Sequence, residues 1–226
     1  MINNYLLYNS NILLMSKEKN IKPIPIKVIL VGDSGVGKTS MITRYIDQYK
    51  ENVDSTIATS YYTKIENIKD YKINFQIWDT VGQEQYRSLN NLFFKDAQIC
   101  LMVYDITKED SFSSIKDYWY GAIVENGEEG VIFGVAGNKN DLYINEKVDR
   151  QEVRDFCSEI NAIFELTSAV QNVCIAELFR KLGEKFIDSD FMKNVGPEYI
   201  GRNERRNSFQ LGKDNNIRNK NKTKCC

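Results

Sequence analysis

The sequence contains no histidine in its 226 residues. This absence excludes three kinds of site: Ser-His-Asp and Cys-His nucleophile pairs, histidine general bases, and metal centres with histidine ligands. Any chemistry must therefore use carboxylates, amides, hydroxyls, lysine, arginine, backbone N–H groups or an oxygen-bound metal.

Long hydrophobic runs are also absent. No run reaches the roughly 18 residues that a membrane-spanning helix needs. The partly apolar start of the chain lacks a basic flank and a small-residue cleavage site, so it does not match a signal peptide. We expect residues 1–21 to be a disordered N-terminal extension; the alternative is that the first methionine is an upstream start codon and that the protein truly begins at Met15.

Cysteine is sparse, and its spacing is not that of a disulfide framework. The five cysteines are Cys100, Cys157, Cys174, Cys225 and Cys226. An odd number without framework spacing predicts reduced thiols and hence a cytosolic compartment. Cys100 lies in an apolar run, which favours a core position, whereas the last two cysteines end the chain, where residues are usually solvated.

Neither sign of charge dominates, because 30 basic residues face 31 acidic ones and the net charge is −1. No global polybasic character therefore argues for nucleic acid as a partner. The balance hides an asymmetry: residues 202–224 contain eight basic and two acidic residues, a net +6, and the remainder carries −7. The composition of residues 191–226, rich in Asn, Lys, Arg and Gly, predicts a flexible basic tail.

Short apolar runs alternate with helix-period segments along the rest of the chain. The apolar runs lie at residues 26–31, 73–78, 99–104, 131–136 and 162–166, and the helical segments at residues 38–49, 111–125, 150–160 and 173–187. Such runs predict a parallel sheet covered by helices on both faces. Residues 61–68 and 71–78 predict a hairpin that adds one antiparallel edge strand. The expected fold is α/β, doubly wound, over residues 22–190.

Residues 32–39 match the pattern G-x-x-x-x-G-K-[ST], directly after an apolar strand and at the start of a helical segment. Glycines let successive backbone N–H groups surround phosphates, and the helix N-terminus adds partial positive charge. Lys38 is then expected to reach the β- and γ-phosphates and the Thr39 hydroxyl to bind Mg²⁺. A glycine-rich turn with an exposed lysine is the alternative, and the position after a strand argues against it.

Two further polar segments follow apolar strands. Asp79 follows the third strand and is well placed to hold hydrated Mg²⁺, with Gly82 able to approach a γ-phosphate and Gln83 to orient a water. Asn138 and Asp141 follow a later strand. The carboxylate suits the two adjacent N–H donors of guanine, which adenine lacks, and the amide suits a link from the base to the phosphate loop. Taken alone, each segment is better interpreted as a polar turn.

Together these segments resemble the Ras superfamily of small GTPases over about residues 22–190. GDSGVGKT, WDTVGQE, GNKND and TSA match its phosphate, switch II and guanine segments. YRSL, YDITKEDSF and the terminal Cys-Cys resemble the Rab branch, with some similarity to endocytic Rabs. The resemblance implies a Ras-like P-loop fold with a six-stranded, mostly parallel sheet, one antiparallel edge strand and helices on both faces.

The resemblance also implies roles for individual residues. Thr39, Thr56 and Asp79 would ligate Mg²⁺, and Gln83, Lys38 and Gly82 would be catalytic. Tyr61, Trp78 and Phe93 match the aromatic triad that Rab effectors contact, and Cys225 and Cys226 match a double geranylgeranylation signal. The nucleotide-binding residues would be Asp33, Ser34, Gly35, Val36, Gly37, Lys38, Thr39, Ser40, Tyr49, Thr56, Gly82, Asn138, Lys139, Asp141, Ser168 and Ala169.

By the same resemblance, the protein would be a switch in vesicle traffic that binds Mg²⁺ with GTP or GDP and hydrolyses GTP slowly. Its expected partners are a guanine-nucleotide exchange factor, a GTPase-activating protein, effectors, an escort protein and a GDP-dissociation inhibitor. A prenylated tail would attach it to the cytoplasmic face of an intracellular membrane, an endosomal one if the endocytic resemblance holds, and it would cycle with the cytosol.

The sequence departs from the family pattern at several positions. Ala58 replaces a glycine after switch I, and the stretch from Thr39 to Tyr49 is one residue shorter than expected. Val81 replaces alanine and adds β-branched bulk beside Gln83. Val170 replaces a lysine that flanks the base. A GTP-binding interaction module with little hydrolysis is therefore an alternative, and a P-loop kinase or ATPase is a second one that lacks a recognisable acceptor lid.

Overall fold

The computed structural model describes residues 22–49, 56, 59–80, 93–190 and 192. Within them, six strands form one sheet in the order β2-β3-β1-β4-β5-β6. The strands are β1 Ile24–Val31, β2 Ser60–Ile68, β3 Tyr71–Asp79, β4 Ile99–Asp105, β5 Ile132–Asn138 and β6 Ile163–Leu166. All neighbours pair in parallel except β2, which pairs antiparallel with β3 at the sheet edge. The predicted hairpin and the predicted mostly parallel sheet are confirmed.

The helices cover both faces of the sheet. They are α1 Lys38–Tyr45, α2 Glu109–Ser114, a π-helical turn Ile115–Trp119, α3 Tyr120–Asn126, a 3₁₀ helix Asn140–Asn145, α4 Arg150–Glu159 and α5 Ile175–Asp188. Apolar residues of α1 and α5 pack on one face, and those of α2, the π turn, α3 and α4 pack on the other. Strand β4 is buried along its whole length, as a continuous apolar run predicts for a central parallel strand.

Helix α1 is shorter than predicted. It ends at Tyr45, whereas the sequence pattern predicted a helix to residue 49. Asp47 adopts the left-handed conformation with φ 62°, which α-helices do not continue through. The chain therefore turns after Tyr45, and Tyr49 lies outside the helix.

The other helices also differ in detail from the prediction. The segment predicted as one helix over residues 111–125 contains the π turn at Ile115–Trp119, which hydrophobic spacing alone does not reveal. Helix α5 begins at Ile175 rather than at residue 173, because Cys174 is left-handed with φ 56° and Val173 pairs with Ser168 in a β-bridge. Both differences leave the polar motifs at the carboxyl ends of the parallel strands, as predicted.

Candidate nucleotide-binding site

The loop after β1 has the backbone conformation that its glycines predict. Gly32, Gly35 and Gly37 have φ values of 136°, 76° and 98°, and α1 begins directly after Gly37. A Cβ on Gly37 would lie 2.4 Å from Nδ2 of Asn138. Any side chain at this position would thus separate the loop from the strand-end segment that the sequence assigns to guanine.

Lys38 is buried against the loop that precedes it. Its Nζ donates to the carbonyl oxygens of Gly32 at 2.7 Å and Asp33 at 2.9 Å. Burial lowers the pKa of Lys38 to about 8, although Asp79 and Asp33 oppose the shift. These contacts hold the amine inside the turn of the glycine loop, next to the N-terminus of α1.

Three oxygen-bearing side chains converge beside Lys38. The Thr39 hydroxyl lies 2.7 Å from the Thr56 hydroxyl and donates to Oδ2 of Asp79 at 2.5 Å. Asp79 is fully buried, and its Oδ1 has no hydrogen-bond partner within the described residues. Burial raises the pKa of Asp79, and the Thr39 hydrogen bond and nearby Lys38 oppose this shift. A carboxylate and two hydroxyls form the oxygen set that Mg²⁺ prefers, so these residues fit the ion.

The segment after β5 is tied to the glycine loop. Asn138 donates from Nδ2 to the carbonyl oxygen of Val36 at 2.8 Å, and the Thr167 hydroxyl donates to its Oδ1 at 3.3 Å. Asn138 thus joins the phosphate loop, β5 and the loop after β6. The sequence predicted that an amide here links the base to the phosphate loop; the contact with the loop is present, and the contact with a base stays a prediction.

Asp141 lies in the 3₁₀ helix and faces the loop after β6. Its Oδ1 accepts a hydrogen bond from the Ser168 hydroxyl at 2.5 Å. The backbone N–H of Asn140 donates to the backbone carbonyl of Thr167 at 2.9 Å, and the backbone N–H of Gln171 donates to the Ser168 hydroxyl at 3.0 Å. The two loops that the sequence assigned to guanine are therefore one hydrogen-bonded unit, which also contains the buried Ala169.

Lys139 has a partner that the sequence did not reveal. Its backbone is left-handed with φ 66°, and its Nζ lies 2.7 Å from Oδ2 of Asp105 at the end of β4. Burial acts to raise the pKa of Asp105, but hydrogen bonds from Lys139 and Thr107 lower it overall. The ion pair fixes the direction of the Lys139 side chain. The feature that brings Lys139 close to Asp105 is the pairing of Asp105 with Asn138 between β4 and β5. The sequence could reveal this contact only if the register of the two strands were known.

Comparison with known proteins shows the family of the chain. The model of the Ras family matches residues 27–188. The chain belongs to the Ras family.

The relatives place it in the Rab branch. Human Ras-related protein Rab-22A is 36% identical over 166 residues, which cover 73% of this chain and 85% of that protein. Human Rab-31 is 36% identical over 170 residues, covering 75% and 87%. RabJ of Dictyostelium discoideum is 37% identical over 162 residues, covering 71% and 63%. The resemblance to Rab proteins, the endocytic type included, is confirmed, and the chain is a Rab-type small GTPase of vesicle traffic.

Two predicted site residues of this small GTPase, Tyr49 and Ala169, contact Arg44, which the sequence did not single out. The guanidinium of Arg44 lies over the ring of Tyr49, 3.5 Å from its centroid. The same side chain donates to the carbonyl oxygens of Ala169 and Val170. Val170, which replaces the family's lysine, is 60% exposed, so its backbone rather than its side chain makes the contact.

The predicted effector triad of the Rab-type protein forms a contiguous aromatic surface. Tyr61 and Trp78 pair across the β2–β3 hairpin, with ring centroids 5.1 Å apart in an edge arrangement. Phe93 lies 5.9 Å from Trp78. Tyr61 is 49% exposed and stands at the end of the row. Contact with effectors stays a prediction.

Several predicted residues lie outside the described residues. They are Gly82, Gln83, Cys225 and Cys226, together with the departures Ala58 and Val81. Among the described helices, none combines the length and the apolar character that crossing a bilayer requires. Cys100 and Cys157 are buried free thiols and Cys174 is an exposed one.

Proposed function

We propose that this Rab-type protein binds GTP together with Mg²⁺ and hydrolyses it to GDP and phosphate as a membrane-associated switch. The observation that carries the proposal is the convergence of Thr39, Thr56 and Asp79 beside buried Lys38. In the family these residues belong to the phosphate loop, switch I and switch II. Their meeting at one point suits a site that reports the state of the terminal phosphate.

Each group of residues has a separate task in this proposal. The backbone N–H groups of the glycine loop and the Lys38 amine bind the phosphates, while Asp141 and Asn138 select and position guanine. Thr39, Thr56 and Asp79 hold Mg²⁺, which when bound neutralises charge on the phosphate oxygens. Gln83 orients the attacking water, and the Gly82 amide donates to the γ-phosphate. The remaining phosphate-loop residues, Asp33, Ser34, Gly35, Val36 and Ser40, surround the nucleotide.

Hydrolysis is expected to be slow without help. Stabilising the transition state calls for an arginine at the phosphates. Of the four described arginines, Arg44 binds Ala169, Arg150 binds Glu146 and Arg180 binds Glu177, while Arg154 is exposed on α4. An activating protein that supplies an arginine accelerates such reactions about 10³- to 10⁵-fold. The non-hydrolysing alternative rests on Val81 and Ala58, and no observation on the described residues favours it.

Replacing Gln83 by leucine tests the hydrolytic part of the proposal. Leucine cannot orient a water, so we expect single-turnover GTP hydrolysis to fall about 10- to 100-fold while GTP binding is retained. Gln151→Leu is the matched control, because Gln151 is exposed on α4 and its side chain donates to Asp155 on the same helix. Equal rates for Gln83→Leu and wild type, with and without an activating protein, would show that Gln83 does not position the water. No hydrolysis by wild type in either assay would favour the interaction module instead.

We further propose that Cys225 and Cys226 are both geranylgeranylated and attach the protein to a membrane. Two lipid chains give stable attachment where one gives only marginal residence. The +6 charge of residues 202–224 adds attraction to an anionic leaflet of about 1 kcal/mol per basic residue near the surface, whereas the −7 of the remainder is repelled. We therefore propose two parts, a GTPase domain over residues 22–190 and a membrane-attaching tail over residues 191–226.

Changing both terminal cysteines to serine should move the protein from membranes to the cytosol and leave GTP binding intact. Cys174→Ser is the matched control, since Cys174 is an exposed thiol within the folded domain. The readout is membrane fractionation together with mass spectrometry of the C-terminus. Unmodified cysteines in protein isolated from native membranes would contradict the proposal.

The expected partners follow from the family. An exchange factor would open the nucleotide site, an activating protein would speed hydrolysis, and an escort protein and a GDP-dissociation inhibitor would handle the lipidated tail. Effectors would contact the row formed by Tyr61, Trp78 and Phe93. The resemblance to endocytic Rabs favours the cytoplasmic face of an endosomal membrane.

A further inference from the structure

Arg44 connects two parts of the nucleotide site that are far apart in sequence. It lies in the last turn of α1, the helix that begins at the phosphate loop. Its Nε donates to the Ala169 carbonyl oxygen at 2.7 Å, and its Nη2 donates to the Val170 carbonyl oxygen at 3.0 Å. These acceptors are 125 and 126 residues away along the chain.

The geometry uses features that only arginine possesses. Two nitrogens of one planar group donate to two successive backbone carbonyls, while the flat face of the group lies on the Tyr49 ring. A lysine ammonium can donate to two carbonyls but has no planar face, so it cannot bind both carbonyls and lie flat on the Tyr49 ring at once. A guanidinium over an aromatic ring is also an attractive pair in its own right.

The chain path after α1 brings Tyr49 back to Arg44. Asp47 is left-handed with φ 62°, and the backbone N–H of Gln48 donates to the backbone carbonyl of Thr43 at 2.7 Å. The backbone therefore reverses, and Tyr49 packs beside the helix from which it emerged. Tyr49 is half-buried and also contacts the apolar core under α1.

On its other side, the Ala169–Val170 backbone continues from Ser168, which is bonded to Asp141. Arg44 and Asp141 therefore hold the same loop from opposite directions. Tyr49, Arg44, the loop and Asp141 form a continuous series of contacts around the place where the base is expected. Arg44 belongs to none of the sequence motifs, whereas Ala169 ends the TSA segment and Val170 directly follows it.

We propose that Arg44 is a positioning residue that slows nucleotide release by locking Tyr49 and the Ala169–Val170 backbone in their base-binding positions. The proposal rests on the proposed guanine-nucleotide function. Release of the base requires Tyr49 and the loop to separate, and Arg44 must leave one or both of them when they do. Arg44 thus acts through its two contacts rather than on the phosphates.

The test measures release of a fluorescent GDP from wild type and from Arg44→Lys and Arg44→Met. Losing two charge-assisted hydrogen bonds and the ring contact should speed release about 10- to 100-fold. Removing Mg²⁺ should speed release by the same factor in the Arg44 variants as in wild type, because the Thr39 hydroxyl is untouched. Arg180→Lys is the matched control, since Arg180 forms exposed ion pairs on α5 only. Should Arg44→Met fail to fold, Arg44→Lys decides.

A Tyr49→Ala background separates positioning from general loosening. If Arg44 acts through Tyr49, Arg44→Lys should speed release less in this background than in wild type. An equal acceleration in both backgrounds, or release by both Arg44 variants within twofold of wild type, would overturn the inference and leave the proposed function standing. Failure of wild type to bind any guanine nucleotide would overturn the proposed function and this inference with it.

Discussion

Replacing Asp141 by asparagine is expected to change the base preference of the protein from guanine to xanthine. The carboxylate suits the N1–H and exocyclic amino donors of guanine, and an amide group presents a donor where an acceptor is required. Xanthine has a carbonyl at the position of the amino group, which the asparagine amide can serve. We expect GTP affinity to fall about 10²- to 10⁴-fold, because a site built for a hydrogen-bonding group rejects a ligand that leaves its polar groups unpaired.

Asp141→Asn should change the contact with the base while leaving the neighbouring hydrogen bond in place. Asparagine has nearly the same shape, and its side-chain oxygen can still accept from the Ser168 hydroxyl, as Asp141 does now. The loop after β6 should therefore stay in place. Asp149→Asn is the matched control, because Asp149 caps α4 by accepting from the Gln151 amide, and asparagine caps helices equally well.

Competition of GTP, ATP and xanthosine triphosphate for wild type and Asp141→Asn provides the readout. Wild type should prefer GTP over ATP, and Asp141→Asn should bind xanthosine triphosphate best. Unchanged base preference in Asp141→Asn would remove Asp141 from the guanine site. Tight ATP binding by wild type would instead favour the P-loop kinase or ATPase alternative.

The sheet and the positions of the motifs were predictable because both follow from local pattern. Val- and Ile-rich runs predict buried parallel strands wherever they occur, and the segments with Lys38, Asp79 and Asn138 each follow such a run. The carboxyl ends of parallel strands share one sheet edge, so the meeting of these segments follows from topology. The link from Asn138 to the phosphate loop was predictable for the same reason, because Asn138 ends one of these parallel strands.

The contacts made by Arg44, Asp105 and Trp119 were not predictable from the sequence. Each depends on where two distant segments pass each other: the indole of Trp119, the last residue of the π turn, donates to Asp33 at 3.2 Å. Arg44 resembles any charged residue at the end of an amphipathic helix. Its role depends on the left-handed Asp47, which also ends α1 four residues earlier than periodicity predicts.

Replacing Thr39 by valine is expected to abolish the dependence of nucleotide retention on Mg²⁺. The hydroxyl contacts both other candidate ligands, at 2.7 Å from Thr56 and 2.5 Å from Asp79. Valine has the same shape and no hydroxyl, so it removes a ligand without opening a cavity. Loss of a group that merely supports a metal ligand costs about 10- to 100-fold in metal affinity, so loss of the ligand itself should cost at least about 100-fold.

Thr43→Val provides a control on the same helix one turn later. The Thr43 hydroxyl donates only to the backbone carbonyls of Thr39 and Ser40, a common contact inside helices that contributes little to stability. GDP release from wild type and Thr43→Val should be slow with Mg²⁺ and fast once a chelator removes it. Release from Thr39→Val should be fast in both conditions. A Thr39→Val protein that still retains GDP in a Mg²⁺-dependent manner would show that Asp79 and Thr56 hold the ion without Thr39.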